Sequence, residues 1–297
     1  MSAGVTTSTA VMDQGAKPQA ATPGAPRVAV VRVQARPGWI GVNFRELWQY
    51  RDLLGFLASR DVKVRYKQTA LGVAWAIVQP LLETIAWFLL MRLGGVQFGG
   101  GSYIVYTYAA MLIWKLFESA LTQASNSLVS NQQLLTKVYF PRLIIPAAAV
   151  LSGLMDFAIA SALLVPMVVW FHTPVTATIL LAPVFVLLAV VAALAVGLWL
   201  SALNVQYRDV RYLVPFLVRI WFLASPVVYA ASAVPEKWRI LYGLNPMAGV
   251  VGGFRWALLG GEVPGGMFVA SMATTALLLV GGLFYFRRME KTFADVV

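Results

Sequence analysis

Six apolar stretches, at about 69–92, 104–128, 144–170, 177–203, 213–231 and 266–286, dominate this chain. Each is close to or above the roughly 20 residues that a helix needs to cross a bilayer. Hydrocarbon offers a backbone no hydrogen-bond partners, and a helix supplies them within one segment. The expected fold is therefore an all-helical membrane protein with six transmembrane helices. Composition agrees: 60% of residues are hydrophobic, 12% are charged and mean hydropathy is +0.75, far from the soluble balance. With no cysteine and one histidine, His172, disulfides, thiolate chemistry and an intrachain multi-histidine metal site are excluded.

An even number of crossings returns both ends to one side, and the charges say which. Ten Lys and Arg lie before Gln68, and Lys137, Arg142, Arg208, Arg211, Arg287, Arg288 and Lys291 share their side. The opposite side holds only Arg92, Lys237, Arg239 and Arg255, with Lys115 and Arg219 inside spans. Cytoplasmic loops carry the excess of cations, so both termini are expected in the cytoplasm of a multi-pass inner-membrane protein. The surplus of 23 Lys+Arg over 12 Asp+Glu flanks membrane segments and does not point to nucleic acid.

Four regions follow: a disordered cytoplasmic tail at 1–37, rich in Ala, Thr, Pro and Gly; an amphipathic interface helix with a basic run at 38–68; the six-span domain at 69–290; and a short cytoplasmic tail at 291–297. In the second, Phe44, Leu47, Trp48, Leu54, Ala58 and Val62 fall on about one third of a helical wheel, opposite Arg45, Gln49, Asp52 and Arg60. Arg51 intrudes on the apolar face. The basic run Arg60, Lys63, Arg65 and Lys67, with Tyr66, then meets the apolar segment, and no charge recurs until Glu83. Such cations suit anionic lipid phosphates, so these four are the candidate lipid-phosphate contacts; topogenic anchoring is the plainer alternative.

Two loops hold more than a turn requires. In SNQQLLTKVYFPR, Ser130 is placed to cap a short helix with Gln133 three residues on, Leu134, Leu135 and Val138 share a face, and Pro141 ends it. In LNPMAGVVGGFRWALLGG, Asn245 caps, Pro246 suits the first helical position and Gly260-Gly261 stops the helix. A helix of about 14 residues is too short to cross. It is expected to dip in and return, with Pro235–Tyr242 as a second arm.

Charges inside spans are costly and tend to face a cavity or each other; here they are Glu83, Lys115, Glu118, Asp156 and Arg219. Lys115 and Glu118 are spaced to pair along one helix, either as structure or, with Arg219, as gating charges. On span 2, Tyr103, Tyr106, Trp114 and Phe117 form one stripe within about an 80° arc. Tyr212, Phe216, Arg219 and Phe222 share a broad face of span 5, where Pro215 and Pro226 favour bends. Sugars stack on such rings, although Tyr and Trp also gather at membrane interfaces. No phosphate loop, dinucleotide fingerprint or metal cluster is present in the sequence. No catalytic site, metal or cofactor is therefore expected in this chain.

The stretches RDVKVRYKQTALGVAWAIVQPLL, NQQLLTKVYFPRLIIP, YRDVRYLVPFLVRIWFLASPVVY and LNPMAGVVGGFRWALLGG, in that order, resemble the membrane subunit of type-2 ABC exporters of cell-surface polysaccharide. The O-antigen (Wzm-type) permeases are the nearest group, with capsule and teichoic-acid permeases related. The resemblance runs from about Phe44 to Phe293. It implies a homodimer carrying two separate ABC subunits that bind ATP and Mg, membrane lipids around it, and a polyprenyl-diphosphate-linked polysaccharide as cargo. It further implies an interface helix at Phe44–Arg60 and short periplasmic re-entrant helices within Pro235–Gly243 and Pro246–Leu259. Coupling to the ATPase would fall to Asn131, Gln132, Gln133, Leu134, Leu135, Lys137, Val138 and Tyr139, and the substrate path to Trp75, Tyr103, Tyr106, Trp114, Phe117, Tyr212, Phe216 and Phe222. Competing readings are a drug or small-lipid exporter of the same architecture, a membrane-bound glycosyl- or acyltransferase, and an ion channel.

Overall fold

The computed structural model describes residues 44–67, 72–94, 102–138, 140–174, 176–229, 234–261, 263, 265–290 and 293. The expected tail at 1–37 and the coupling candidate Tyr139 lie outside them. Among the described residues the regular structure is all helical, in the order α1 (Phe44–Gln49), α2 (Arg51–Tyr66), α3 (Ala74–Leu93), α4 (Ser102–Ser130), α5 (Gln132–Lys137), α6 (Ile144–Ser161), α7 (Leu164–Trp170), a 3-10 turn (Ala177–Leu181), α8 (Ala182–Gln206), α9 (Val210–Leu223), α10 (Glu236–Tyr242), α11 (Pro246–Leu259) and α12 (Gly266–Met289).

Helix α4 is the hub. Of its most apolar stretch 72% is buried, against 11% for α3 and 17% for α12. Small side chains allow this: Ala124 of α4 meets Gly197 of α8, where an added Cβ would fall 2.8 Å away, and Ala120 meets Gly153 of α6 at 3.8 Å. Apolar attraction between helices is weak in lipid, so close backbone approach and inter-helix hydrogen bonds hold such pairs. Asn204 of α8 donates through Nδ2 to the Ser125 carbonyl at 2.9 Å and to Asn126 Oδ1 at 3.0 Å. Helices α6, α3, α9 and α11 surround the same core. On the outer flank α12 packs on α8, where Trp199 donates to the Leu278 carbonyl at 2.9 Å and stacks on Tyr285 at 4.9 Å.

Among the described residues five segments are long and apolar enough to cross a membrane: Ala74–Leu93, Tyr103–Ser130, Ile144–Trp170, Ala177–Gln206 and Gly266–Met289. The third is divided. Pro166 excludes the carbonyl one turn before it, and the chain tightens there, with Ala162 bonding Ile159 and Leu163 bonding Ala160, both at 3.2 Å. The expected span at 213–231 differs more. It begins earlier, as α9, and ends at Leu223; at 1.5 Å per residue its 14 residues reach about 21 Å. Pro226 has no N–H to continue the ladder, and residues 224–229 turn instead.

Other boundaries also move. The interface helix breaks at Tyr50, and its second part runs through the basic run to Tyr66. Leu57, absent from the expected apolar face, is its buried anchor at 3% exposure, whereas Trp48 stands 70% exposed beneath the Arg51 guanidinium at 5.5 Å. The capping box does not form: Ser130 is the last residue of α4, and Asn131 occupies the cap position without a side-chain cap bond. Asn131 is engaged elsewhere, donating to the Ser127 carbonyl at 2.8 Å and accepting from Arg60 at 2.7 Å. The Asn245 cap does form, accepting from the Met247 N–H at 2.9 Å, and Gly260 ends α11 at φ +72°.

Helix α11 lies close to α8 at Gly253, where an added Cβ would fall 2.0 Å from Phe185 Cε1. Gly253→Ala is expected to cost about 1–3 kcal/mol by overpacking. Gly55→Ala, in α2 with open space around it, should gain about 0.5–1 kcal/mol from helix propensity. Apparent melting temperatures of the purified variants in detergent, moving in opposite directions, check both.

Candidate functional site

Helices α2, α3, α4 and α6 border an open-sided cavity of about 480 Å³, lined among others by Tyr66, Trp75, Gln79, Lys115, Glu118, Ser119, Gln123 and Asp156. Two polar groups shape it. In the first, the Arg65 guanidinium donates to Asp156 and to Gln123, and the Tyr66 hydroxyl donates to the other oxygen of Asp156. Ser152 joins by donating to Gln123 Oε1 at 2.9 Å, and Gln123 Nε2 reaches Ser119 Oγ at 2.7 Å. Burial pulls the Arg65 guanidinium below its ordinary value while Tyr66 and Asp61 push it back, and an arginine so placed stays charged. Burial raises Tyr66, opposed by Arg65, so its hydroxyl keeps its proton and its donor role.

In the second group, Lys115 Nζ lies 2.7 Å from Glu83 and 3.0 Å from Glu118. The expected pairing within α4 is present, and a second carboxylate arrives from α3. Gln79 donates to Glu83 at 3.3 Å. The lysine thus joins two spans. Arg219, the other expected gating charge, is exposed on α9 and is not part of this group.

The basic run divides in two. Arg60 is tied to Asp61 at 2.8 Å and Asn131 at 2.7 Å, and Arg65 to Asp156 and Gln123. Arg60 and Arg65 thus give several of their donors to the protein. Lys63 and Lys67 remain exposed.

At the α10–α11 end, Arg255 is 3% exposed. Its Nε donates to the Tyr106 carbonyl at 3.2 Å, one terminal nitrogen to Pro226 at 2.7 Å and Tyr229 at 3.2 Å, and the other to the Val227 carbonyl. The guanidinium also lies 3.8 Å from the centre of the Tyr106 ring. Asn245 closes the same corner, accepting from Trp221 Nε1 at 2.8 Å and donating to the Ala224 carbonyl at 3.0 Å. A second cavity, about 520 Å³, adjoins Arg255, Trp256, Arg239 and the glycines of α11.

The expected aromatic path splits likewise. Trp114 and Phe117 are 1% and 0% exposed, clamped against Phe222 and Trp221 of α9 at 5.5 and 5.1 Å, so within one subunit they are core and offer no face to a solute. Tyr106 holds Arg255, Tyr103 donates to the Val228 carbonyl at 2.8 Å, and Phe222 is partly buried. Trp75, Tyr212 and Phe216 are the open rings, 51%, 80% and 60% exposed. In the coupling segment Leu135 is buried and Leu134 half-buried, while Gln132, Gln133, Lys137 and Val138 are exposed; the face expected to hold Val138 beside the leucines is divided.

A family model described as ABC-2 type transporter matches residues 52–259. The chain belongs to the ABC-2 transporter membrane family. The match begins inside α2 and ends with α11, taking in the whole lining of the first cavity and part of that of the second. The chain is also similar to the O-antigen export system permease protein RfbA of Myxococcus xanthus, 28% identical over 251 residues, covering 83% of this chain and 96% of that protein. An O-antigen export system permease of Klebsiella pneumoniae is 27% identical, covering 83% and 95%. More distant is the polysialic acid transport protein KpsM of Escherichia coli, 24% identical, covering 79% and 92%. As an ABC-2 membrane chain with five such apolar helices, this is a multi-pass membrane protein.

Three residues that shape these cavities escaped the sequence reading: Gln123, Asp156 as the partner of Arg65, and Arg255 as a buried hub. Asp156 and Arg255 each stand alone in an apolar helix, which signals a buried partner without naming it. Arg255→Lys keeps the charge but has no planar fork and cannot serve four carbonyls. It is expected to destabilise by about 2–4 kcal/mol, since each unsatisfied buried carbonyl costs about 1–3, read as a lower melting temperature. Lys115→Met leaves Glu83 and Glu118 without their cation. The expected loss is near the lower end of about 3–5 kcal/mol, because the three side chains keep partial exposure, and the triple change adding Glu83→Gln and Glu118→Gln should recover most of it.

Proposed function

We propose that this chain is the membrane subunit of an ATP-driven exporter that moves lipid-linked polysaccharide, an O-antigen on a polyprenyl diphosphate, across the cytoplasmic membrane. The observation that carries it is the nearly end-to-end match to an O-antigen export permease, 83% of this chain against 96% of that protein. The chain works as a homodimer with two ABC subunits, which bind ATP and Mg; this chain performs no catalysis. In the membrane α9 and the turn after it complete a sixth crossing, both termini lie in the cytoplasm, and α10 and α11 form the re-entrant pair on the periplasmic side. The positive-inside distribution of charge supports that orientation.

The geometry fits this reading. Tyr212, Phe216 and Ile220 leave α9 with an exposed apolar face, suited to a second copy around a central path. The exposed side of α5, with Gln132, Gln133 and Lys137 over the buried Leu135, is a rigid knob for an ATPase surface. Force applied there reaches the core through the cluster of Leu135, Leu57, Leu128, Phe140 and Phe286. A capsule glycan is the second reading, favoured by the similarity to the polysialic acid transport protein.

Deleting the gene should abolish the surface glycan and accumulate its lipid-linked form inside the cell; unchanged surface glycan would sink the proposal. Lys137→Glu combined with Gln133→Ala should cut glycan-stimulated ATPase activity of the purified complex several-fold while size-exclusion light scattering still reports two permease copies.

A further inference from the structure

The cavity among α2, α3, α4 and α6 is lined within a single subunit, and its lining has a chemistry of its own. We propose that it binds an uncharged sugar residue of the transported glycan within each single subunit. The export reading supplies the identity of the glycan; the kind of ligand follows from the cavity itself.

Charge comes first. Glu83, Glu118 and Asp156 bring three negative charges to this region against the two positive charges of Arg65 and Lys115, and both cations are already paired. A phosphate or diphosphate would meet surplus carboxylate and no uncommitted cation. A wholly apolar molecule would strip water from charged side chains without replacing its hydrogen bonds, which is costly.

A pyranose meets neither obstacle. Its hydroxyls both donate and accept, and the lining offers acceptors in Glu118 and Asp156 and mixed groups in Gln79, Ser119, Thr122 and Gln123. An ionised carboxylate has about four acceptor positions, and the bond to Lys115 engages Glu118 through Oε2. The flat C–H face of a sugar needs a ring, and Trp75 lines the cavity while half exposed, with Tyr66 and Phe157 also on the wall. The volume, about 480 Å³, lies within the range of roughly 300–1,000 Å³ usual for small-molecule sites.

The end of the basic run fits the same picture. Arg65 and Tyr66 hold Asp156 from the end of α2, so the site is built where the amphipathic helix docks on the bundle. Its polar groups are fixed by one another before any ligand arrives, which lowers the ordering cost of binding.

The test uses the complex of this chain with its ATP-binding partner, in phosphatidylcholine nanodiscs and studied by isothermal titration calorimetry. The probes are an oligosaccharide released by mild acid from the host's own surface polysaccharide, and farnesyl diphosphate, which has the anchor's phosphates without sugar. The oligosaccharide is expected to bind saturably. Trp75→Ala and Glu118→Gln should each weaken it about tenfold or more. Trp75→Phe, which keeps a ring, should stay within about threefold, and Trp170→Ala, an exposed ring on α7, should match the unchanged protein.

Displacement of the oligosaccharide by farnesyl diphosphate, equal binding to Trp75→Ala, or no binding at all would each overturn the proposal. If gene deletion leaves the surface glycan unchanged but Trp75-dependent binding persists, the export reading falls and the sugar site stands. If export depends on the gene and no Trp75-dependent binding is found, the sugar site falls alone.

Discussion

The contact between Arg65 and Asp156 decides how this molecule is assembled. A guanidinium at the end of an amphipathic helix reaches a carboxylate in an apolar one, and Tyr66 takes the other carboxylate oxygen. A lone carboxylate in such a helix is expensive, and a lone arginine beside it is an anchor without a mooring. Joined, they fasten α2 to α6, and Leu57 completes the seam by packing with Leu128, Leu135 and Phe140. The helix that leads into the membrane bundle is therefore part of that bundle, continuous with the knob at α5.

Much of the plan was legible in the residues. Long apolar runs, the cap at Asn245 and the stop at Gly260 rest on local rules that act within a few residues, and they hold. Boundaries that depend on distant partners were not legible. Asn131 takes the cap position but spends its side chain on Arg60, 71 residues away in sequence. Helix periodicity placed Trp114 and Phe117 on one face correctly, but it cannot say whether that face meets solvent or another helix. Here it meets α9.

The site shows the same division. The pairing of Lys115 with Glu118 follows from a three-residue spacing, while Glu83 joins them only because α3 packs against α4. A dense basic run invites an electrostatic reading, yet the sequence does not show that two of its arginines are already engaged by Asp61, Asn131, Asp156 and Gln123. Exposure, more than charge count, separates Lys63 and Lys67 from them.

Arg255 draws out what the short α9 demands. A peptide that abandons its helix in an oily layer must find donors for its carbonyl oxygens, and irregular backbone survives there only where protein surrounds it. One guanidinium, with five N–H groups, answers Pro226, Val227 and Tyr229 together. It acts as a fixed substitute for water, so the chain can change direction at that point with its carbonyl oxygens answered by protein alone.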